Sequence, residues 1–146
     1  MKYKFRFQKI LDIKDKLGES KKAEINAIMK DIQDANENLE LLVKSKENKK
    51  NEMLNLMSEG TNINNIRFFC GIVNSMDINI DKLREKIFFL EEKLELKKRE
   101  YIEIAKEKKT LDNLKDKDLM RFNEHLKKEE EKFIDQIVTF KTRVSN

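Results

Sequence analysis

Two runs of apolar residues that step alternately by three and four positions dominate this chain, and that spacing commits it to long helices packed along a narrow stripe. The first run is Ile25, Ile28, Ile32, Ala35, Leu39, Leu42, Lys46, Lys49, Met53 and Leu56. The second is Ile66, Phe69, Val73, Met76, Ile80, Leu83, Ile87, Leu90, Leu94, Lys97, Tyr101, Ile104, Lys108 and Leu111. A mean step of 3.5 residues is the coiled-coil seam, in which alternate positions insert between residues of a facing helix. Upstream, Phe7, Ile10, Ile13 and Leu17 form a similar stripe out of phase with Ile25, which predicts a stutter that locally unwinds the supercoil.

Nothing in the composition opposes helices. The 146 residues include no proline and only three glycines, and 41% charged with 38% hydrophobic residues is too much interleaved charge for a thick globular core. Between the two runs lies SEGTNINN, where Gly60 suits the left-handed residue that ends a helix and Thr61 or Asn62 suits the cap of the next. The expected fold is therefore all-α: a long antiparallel two-helix coiled-coil hairpin forming a single domain over 1–146. Helix 1 is placed at about 4–58, the turn at about 59–62 and helix 2 at about 62–142. Reversal at Gly60 and Thr61 sets Leu56 against Ile66, Leu39 against Leu83, Ala35 against Ile87 and Ile28 against Leu94, so the seams mesh layer by layer. A register one heptad longer, turning at Asn64 and Asn65, also meshes but puts Gly60 inside a helix at a cost of ~1 kcal/mol, so the shorter one is preferred. Each buried Leu or Ile contributes roughly 1.5–3 kcal/mol. Lys46, Lys49, Lys97 and Lys108 loosen their layers and disfavour other registers, since the aliphatic stem packs while the ammonium reaches water.

The arms are unequal. Tyr3 falls opposite Leu119, so the rest of helix 2 forms a C-terminal helical overhang of about 35–40 Å without an intrachain partner. Leu119, Phe122, Leu126, Phe133, Ile137 and Phe140 continue at helical spacing through it amid KKEEEK. Such an edge reads as a binding surface, the alternative being that helix 2 frays or folds back. A second apolar excess, Phe68, Cys70, Ile72, Ile78, Phe88 and Phe89, lies off the seam near the turn. A wide core around the turn is the preferred reading, with Cys70 as a small buried hydrophobe, and a patch for a partner is the alternative.

Several function classes are disfavoured. The net charge of +4 is the residue of 32 basic against 28 acidic side chains mixed along the chain, not a clustered nucleic-acid footprint, so no nucleic-acid partner is expected. No stretch approaches the ~20 apolar residues of a membrane span, and the opening MKYKFRFQKILDIKDK lacks the apolar core of a signal peptide, so a cytoplasmic protein without direct membrane insertion is expected. His125 is the only histidine and Cys70 the only cysteine, Gly18, Gly60 and Gly71 stand apart, and no GK[ST] occurs. No catalytic, cofactor or metal site is expected, and the chain is not read as an enzyme.

The two ends carry a resemblance. The opening Tyr3-Lys4-Phe5-Arg6-Phe7-Gln8-Lys9-Ile10-Leu11-Asp12-Ile13-Lys14 resembles the start of the FliJ family, coiled-coil proteins of the bacterial flagellar type III export apparatus. Lys109 to Lys117, with Leu111 and Leu114, then Phe122 and Glu131-Lys132-Phe133-Ile134-Asp135-Gln136, is similar to that family's C-terminal pattern, although Gln136 stands where an acid is common. The resemblance implies a stalk-like, non-enzymatic coiled coil working peripherally at the inner face of the cell membrane. Its terminal end, with Lys2, Lys4, Arg6, Leu119, Phe122, Leu126, Phe133, Ile137 and Phe140, would dock in the flagellar export ATPase hexamer. Its tip or face, with Phe68, Ile72, Phe88 and Phe89, would contact the export gate membrane protein or export chaperones. The alternative is a structural coiled-coil rod that self-associates through the overhang, and a basic amphipathic protein on membrane or nucleic acid ranks last.

Overall fold

The computed structural model describes residues 2–145, which form two helices, α1 (Gln8–Glu59) and α2 (Ile63–Ser145), paired antiparallel as a helical hairpin. Strong helix formers at solvent positions and the absence of proline let both helices run without a break. Gly60 ends α1 at φ 89°, a left-handed conformation that only glycine adopts without strain. Asn62 then caps α2: its Oδ1 accepts from the Asn65 amide at 2.9 Å, and the Asn65 side-chain amide donates to Thr61 Oγ1 at 3.0 Å. The turn is thus the Gly60–Asn62 segment, and the register that turns at Asn64 and Asn65 is not adopted.

By packing, the chain divides into two compact units, and both helices contribute to each. Lys21–Glu100 carries the turn. Its core is Ile28 and Ala35 on α1 with Ile80 and Ile87 on α2, all buried. Around them every expected seam position from Ile25 to Leu56 and from Ile66 to Lys97 is buried or half-buried, because a helix pair covers one stripe and these residues occupy it. The seam lysines are matched by acids. Lys46 pairs with Asp77, and Lys49 lies 5.7 Å from the Phe69 ring centroid while pairing with Glu52 at 3.1 Å. At the unit's far end Lys21 Nζ meets Glu100 Oε2 at 2.7 Å and Lys97 Nζ meets Glu24 Oε2 at 3.2 Å, both across the seam. Contacts along each helix at 3.5 Å, Lys21 to Glu24 and Lys97 to Glu100, close the four charges into a ring. Hydrogen bonding from Lys97 holds the Glu24 carboxyl below its ordinary value, and hydrogen bonding from Lys21 does the same for Glu100.

The other unit comprises the chain up to Ser20 and from Tyr101 onward. Here the expected stripe is wrong. Ile10, Ile13 and Leu17 are exposed, and the inward positions are Phe7, Leu11, Lys14 and Gly18, in unbroken three- and four-residue steps that lead to Lys21 and Ile25 without a stutter. The heptad continues through residues that do not look like a core. Lys14 pairs across the seam with Glu107, as Lys108 does with Asp15, and the bare face of Gly18 meets Ile104. Helix α1 also begins at Gln8 rather than near residue 4. Extended backwards, the helix would point Phe5 away from α2; leaving it allows Phe5 to turn in and become buried, with the Gln8 amide donating to the Phe5 carbonyl at 3.2 Å.

The glycines give a test of sign. A methyl at Gly18 would lie 3.8 Å from Ile104 Cγ2, an ordinary contact, and one at Gly71 would meet nothing within 4 Å. Gly18→Ala and Gly71→Ala should each stabilise the protein by about 1 kcal/mol in urea unfolding, whereas Gly60→Ala should destabilise it by about the same amount. Acid gives a second test. Because the folded Glu24 and Glu100 carboxyls titrate below their ordinary value, their contribution is complete at neutral pH and lost as pH falls through that lowered range. The melting temperature should fall between about pH 5 and pH 3, and Glu24→Gln with Glu100→Gln should flatten that fall.

Candidate docking surfaces

The terminal end is built on residues 2–7, which leave the helix and lie against α2. The Tyr3 hydroxyl donates to Asp118 Oδ2 at 3.0 Å, with the Lys115 carbonyl at 3.5 Å, and its ring meets Phe122 at 5.4 Å between centroids. Burial, then the hydrogen bond to Asp118, raises the Tyr3 pKa, so the phenol stays protonated and remains a donor. Lys115 Nζ donates to Gln8 Oε1 at 2.7 Å, and Gln8 Nε2 donates to Asp12 Oδ1 at 2.9 Å, tying the start of α1 to α2. Phe5 and Phe7 meet edge to face at 5.8 Å, and the Arg6 guanidinium stacks over Phe7 at 5.5 Å. Lys2, Lys4 and Arg6 are exposed, giving this end a cationic surface over an aromatic base.

Tyr3 was expected opposite Leu119; it instead covers Phe122, which is half-buried, while Leu119 sits on the shoulder at 38% exposure. Leu126 is also half-buried, and every described residue after it is exposed. Helix α2 nevertheless continues to Ser145 and does not fold back. At 100° per residue, Phe122, Leu126, Phe133, Ile137, Phe140 and Val144 fall within an arc of about 60°. Phe133 at 63% and Phe140 at 68% exposure show how little of this stripe the chain covers. Val144 extends it by another step of four. The exposed Ile10, Ile13 and Leu17 of α1 and Leu114 of α2 add apolar surface to the same unit. Ile10, Ile13 and Leu17 stand on the outer side of α1 because its inward positions are Phe7, Leu11 and Lys14.

Near the turn, the wide core is not formed. Phe68, Ile78, Phe88 and Phe89 are exposed and Ile72 is half-buried. Cys70 is exposed rather than buried, with Sγ 3.9 Å from Met53 Sδ. The reason is geometric: a helix pair has one interface, and residues off its stripe have no second layer to enter. Phe88 and Phe89 stand side by side, centroids 5.9 Å apart, as an aromatic pair on the outer surface of α2. Among the described residues no helix is long and apolar enough to cross a membrane, and no group of three or more His, Cys, Asp or Glu could hold a metal ion.

A family model described as "Flagellar FliJ protein" matches residues 2–146. No curated protein and no solved structure matches the chain. Amide hydrogen exchange should report the contrast within α2: slow exchange over residues 101–122, which pack on α1 and the N-terminal residues, and much faster exchange from about residue 127 onward, where the helix has no packed face. Equal protection on both sides of Leu126 would mean the stripe is covered in solution.

Proposed function

The chain belongs to the flagellar FliJ family and is a component of the flagellar export apparatus, and we propose that within it the hairpin acts as a stalk whose terminal end docks in the export ATPase hexamer. The observation that supports this reading is the apolar stripe from Phe122 to Val144, carried on a helix that outlasts its partner. Contiguous apolar surface on an otherwise highly charged protein marks a contact site. An ATPase ring offers a protein sleeve that can receive such a helix end. Leu119, Phe122, Leu126, Phe133, Ile137 and Phe140 supply the apolar contacts, and Lys2, Lys4 and Arg6 supply positive charge that orients the end during encounter. Near the turn, Phe68, Ile72, Phe88 and Phe89 form the contact for the export gate membrane protein or for export chaperones, which places the protein in the cytoplasm at the inner face of the membrane. The chain performs no chemistry itself. It promotes assembly or coupling of the ring.

The test is the turnover of the cognate export ATPase with and without this protein. Adding it should raise turnover. Phe133→Asp with Phe140→Asp should weaken that effect by roughly tenfold, since buried aromatic anchors dominate interface energetics. Arg6→Glu should weaken it chiefly at low salt. Phe133 and Phe140 are the better probes, because Phe122 also packs on Tyr3 and its replacement would disturb the fold. Unchanged turnover on adding the unaltered protein would remove the proposal. The same exposed stripe also favours a second reading, self-association into a rod, and light scattering separates the two: a 17.5 kDa monomer fits the stalk, an obligate oligomer the rod.

A further inference from the structure

A heptad seam is degenerate by construction. Sliding one helix by seven residues returns core positions to core positions, and the apolar residues alone discriminate poorly between the alignments. What changes on sliding is the company of the charges that flank the seam. In the observed alignment Lys14, Lys21, Lys46, Lys97 and Lys108 each pair with a carboxylate across the seam. Carrying those pairings one heptad towards a longer turn would set Lys14 at Leu114, Lys46 at Arg84, Lys108 at Lys22, Glu24 at Ile104 and Glu100 at Ile28, with only Lys21 and Lys97 finding new acids, Glu107 and Asp31. One heptad the other way would set Lys21 at Lys93, Lys97 at Leu17, Lys46 at Cys70, Lys108 at Gln8 and Glu24 at Leu90, with only Lys14 finding an acid, Glu100.

The densest of these layers is the ring of four charges. Lys21 and Lys97 occupy seam positions from opposite helices, and Glu24 and Glu100 each lie within 3.5 Å of both ammonium groups. Glu100 Oε2 is closed off from solvent, with the Lys21 and Lys97 ammonium groups 2.7 and 3.5 Å from it. We propose that Lys21, Glu24, Lys97 and Glu100 form a register lock that selects one heptad alignment of α1 and α2 and thereby sets how much of α2 is left unpaired. A slip of one heptad would lengthen or shorten the unpaired segment by about 10 Å. The lock adds more specificity than stability, since apolar side chains in the same places would pack at least as well. It does not depend on what the unpaired segment docks into.

Cysteine pairs read the alignment directly. In a Cys70→Ser background, Ile28→Cys with Leu94→Cys reports the observed register, Ile28→Cys with Tyr101→Cys the longer slip, and Ile28→Cys with Ile87→Cys the shorter one. With the four charges intact, oxidation should link the first pair and leave the slipped pairs at a small fraction of that yield. In the variant Lys21→Leu, Glu24→Gln, Lys97→Leu, Glu100→Gln, circular dichroism should show full helicity while slipped-pair yield rises about tenfold. The charge-swapped variant Lys21→Glu, Glu24→Lys, Lys97→Glu, Glu100→Lys should restore the single alignment. Crosslinking confined to the observed pair in the neutral variant would overturn the proposal. So would slippage in the charge-swapped variant, and so would loss of helix in the neutral variant, which would make the ring a source of stability.

Discussion

Two helices can shield only one stripe on each other, and most features of this protein trace to that limit. With no third layer available, burial is confined to a narrow set of positions, and even the seam residues are mostly half-buried. Hydrophobic stabilisation is therefore thin per residue and must be gathered over many turns. The same limit decides the fate of every apolar residue off the stripe. Phe68, Phe88, Phe89, Ile10, Ile13 and Leu17 are exposed because a paired helix has nowhere else to put them.

Thin apolar layers also explain why so much of the seam is ionic. A seam lysine in a thick core would be stranded, but at a two-helix interface its ammonium lies close to solvent and to the flank of the facing helix, where an acid can meet it. Lys14, Lys21, Lys46, Lys97 and Lys108 all use this route. Pairs this exposed contribute little net stability under screening by salt. Their effect lies in choosing among alignments that the apolar residues leave nearly equivalent. Register also sets where pairing ends on α2.

The N-terminal residues complete that end. Tyr3 and Gln8 tie the N-terminal residues to Lys115, Asp118 and Phe122, so the last packed layers are aromatic and hydrogen-bonded rather than frayed. Past Leu126 the helix stands without support from the chain, and its apolar face is the surface that most needs a partner.

Much of this was already determined by the string of residues. Heptad spacing and the absence of proline dictate two long helices, and Gly60 with Asn62 places the turn between them, because periodicity and turn chemistry are local properties. Local pattern also shows that α2 outruns α1. Tertiary structure alone decided which of two competing stripes on early α1 faces inward. Ile10, Ile13 and Leu17 are the more apolar set, but the phase inherited from Ile25 and the acids Glu100 and Glu107 on α2 favour Lys14, Gly18 and Lys21. Hydrophobicity counted along one helix cannot see a carboxylate waiting on another. The start of α1 at Gln8 and the cover that Tyr3 places on Phe122 were hidden for the same reason, since each depends on what the facing helix presents at that level, whereas Cys70 is exposed because it lies off the one stripe a helix pair buries.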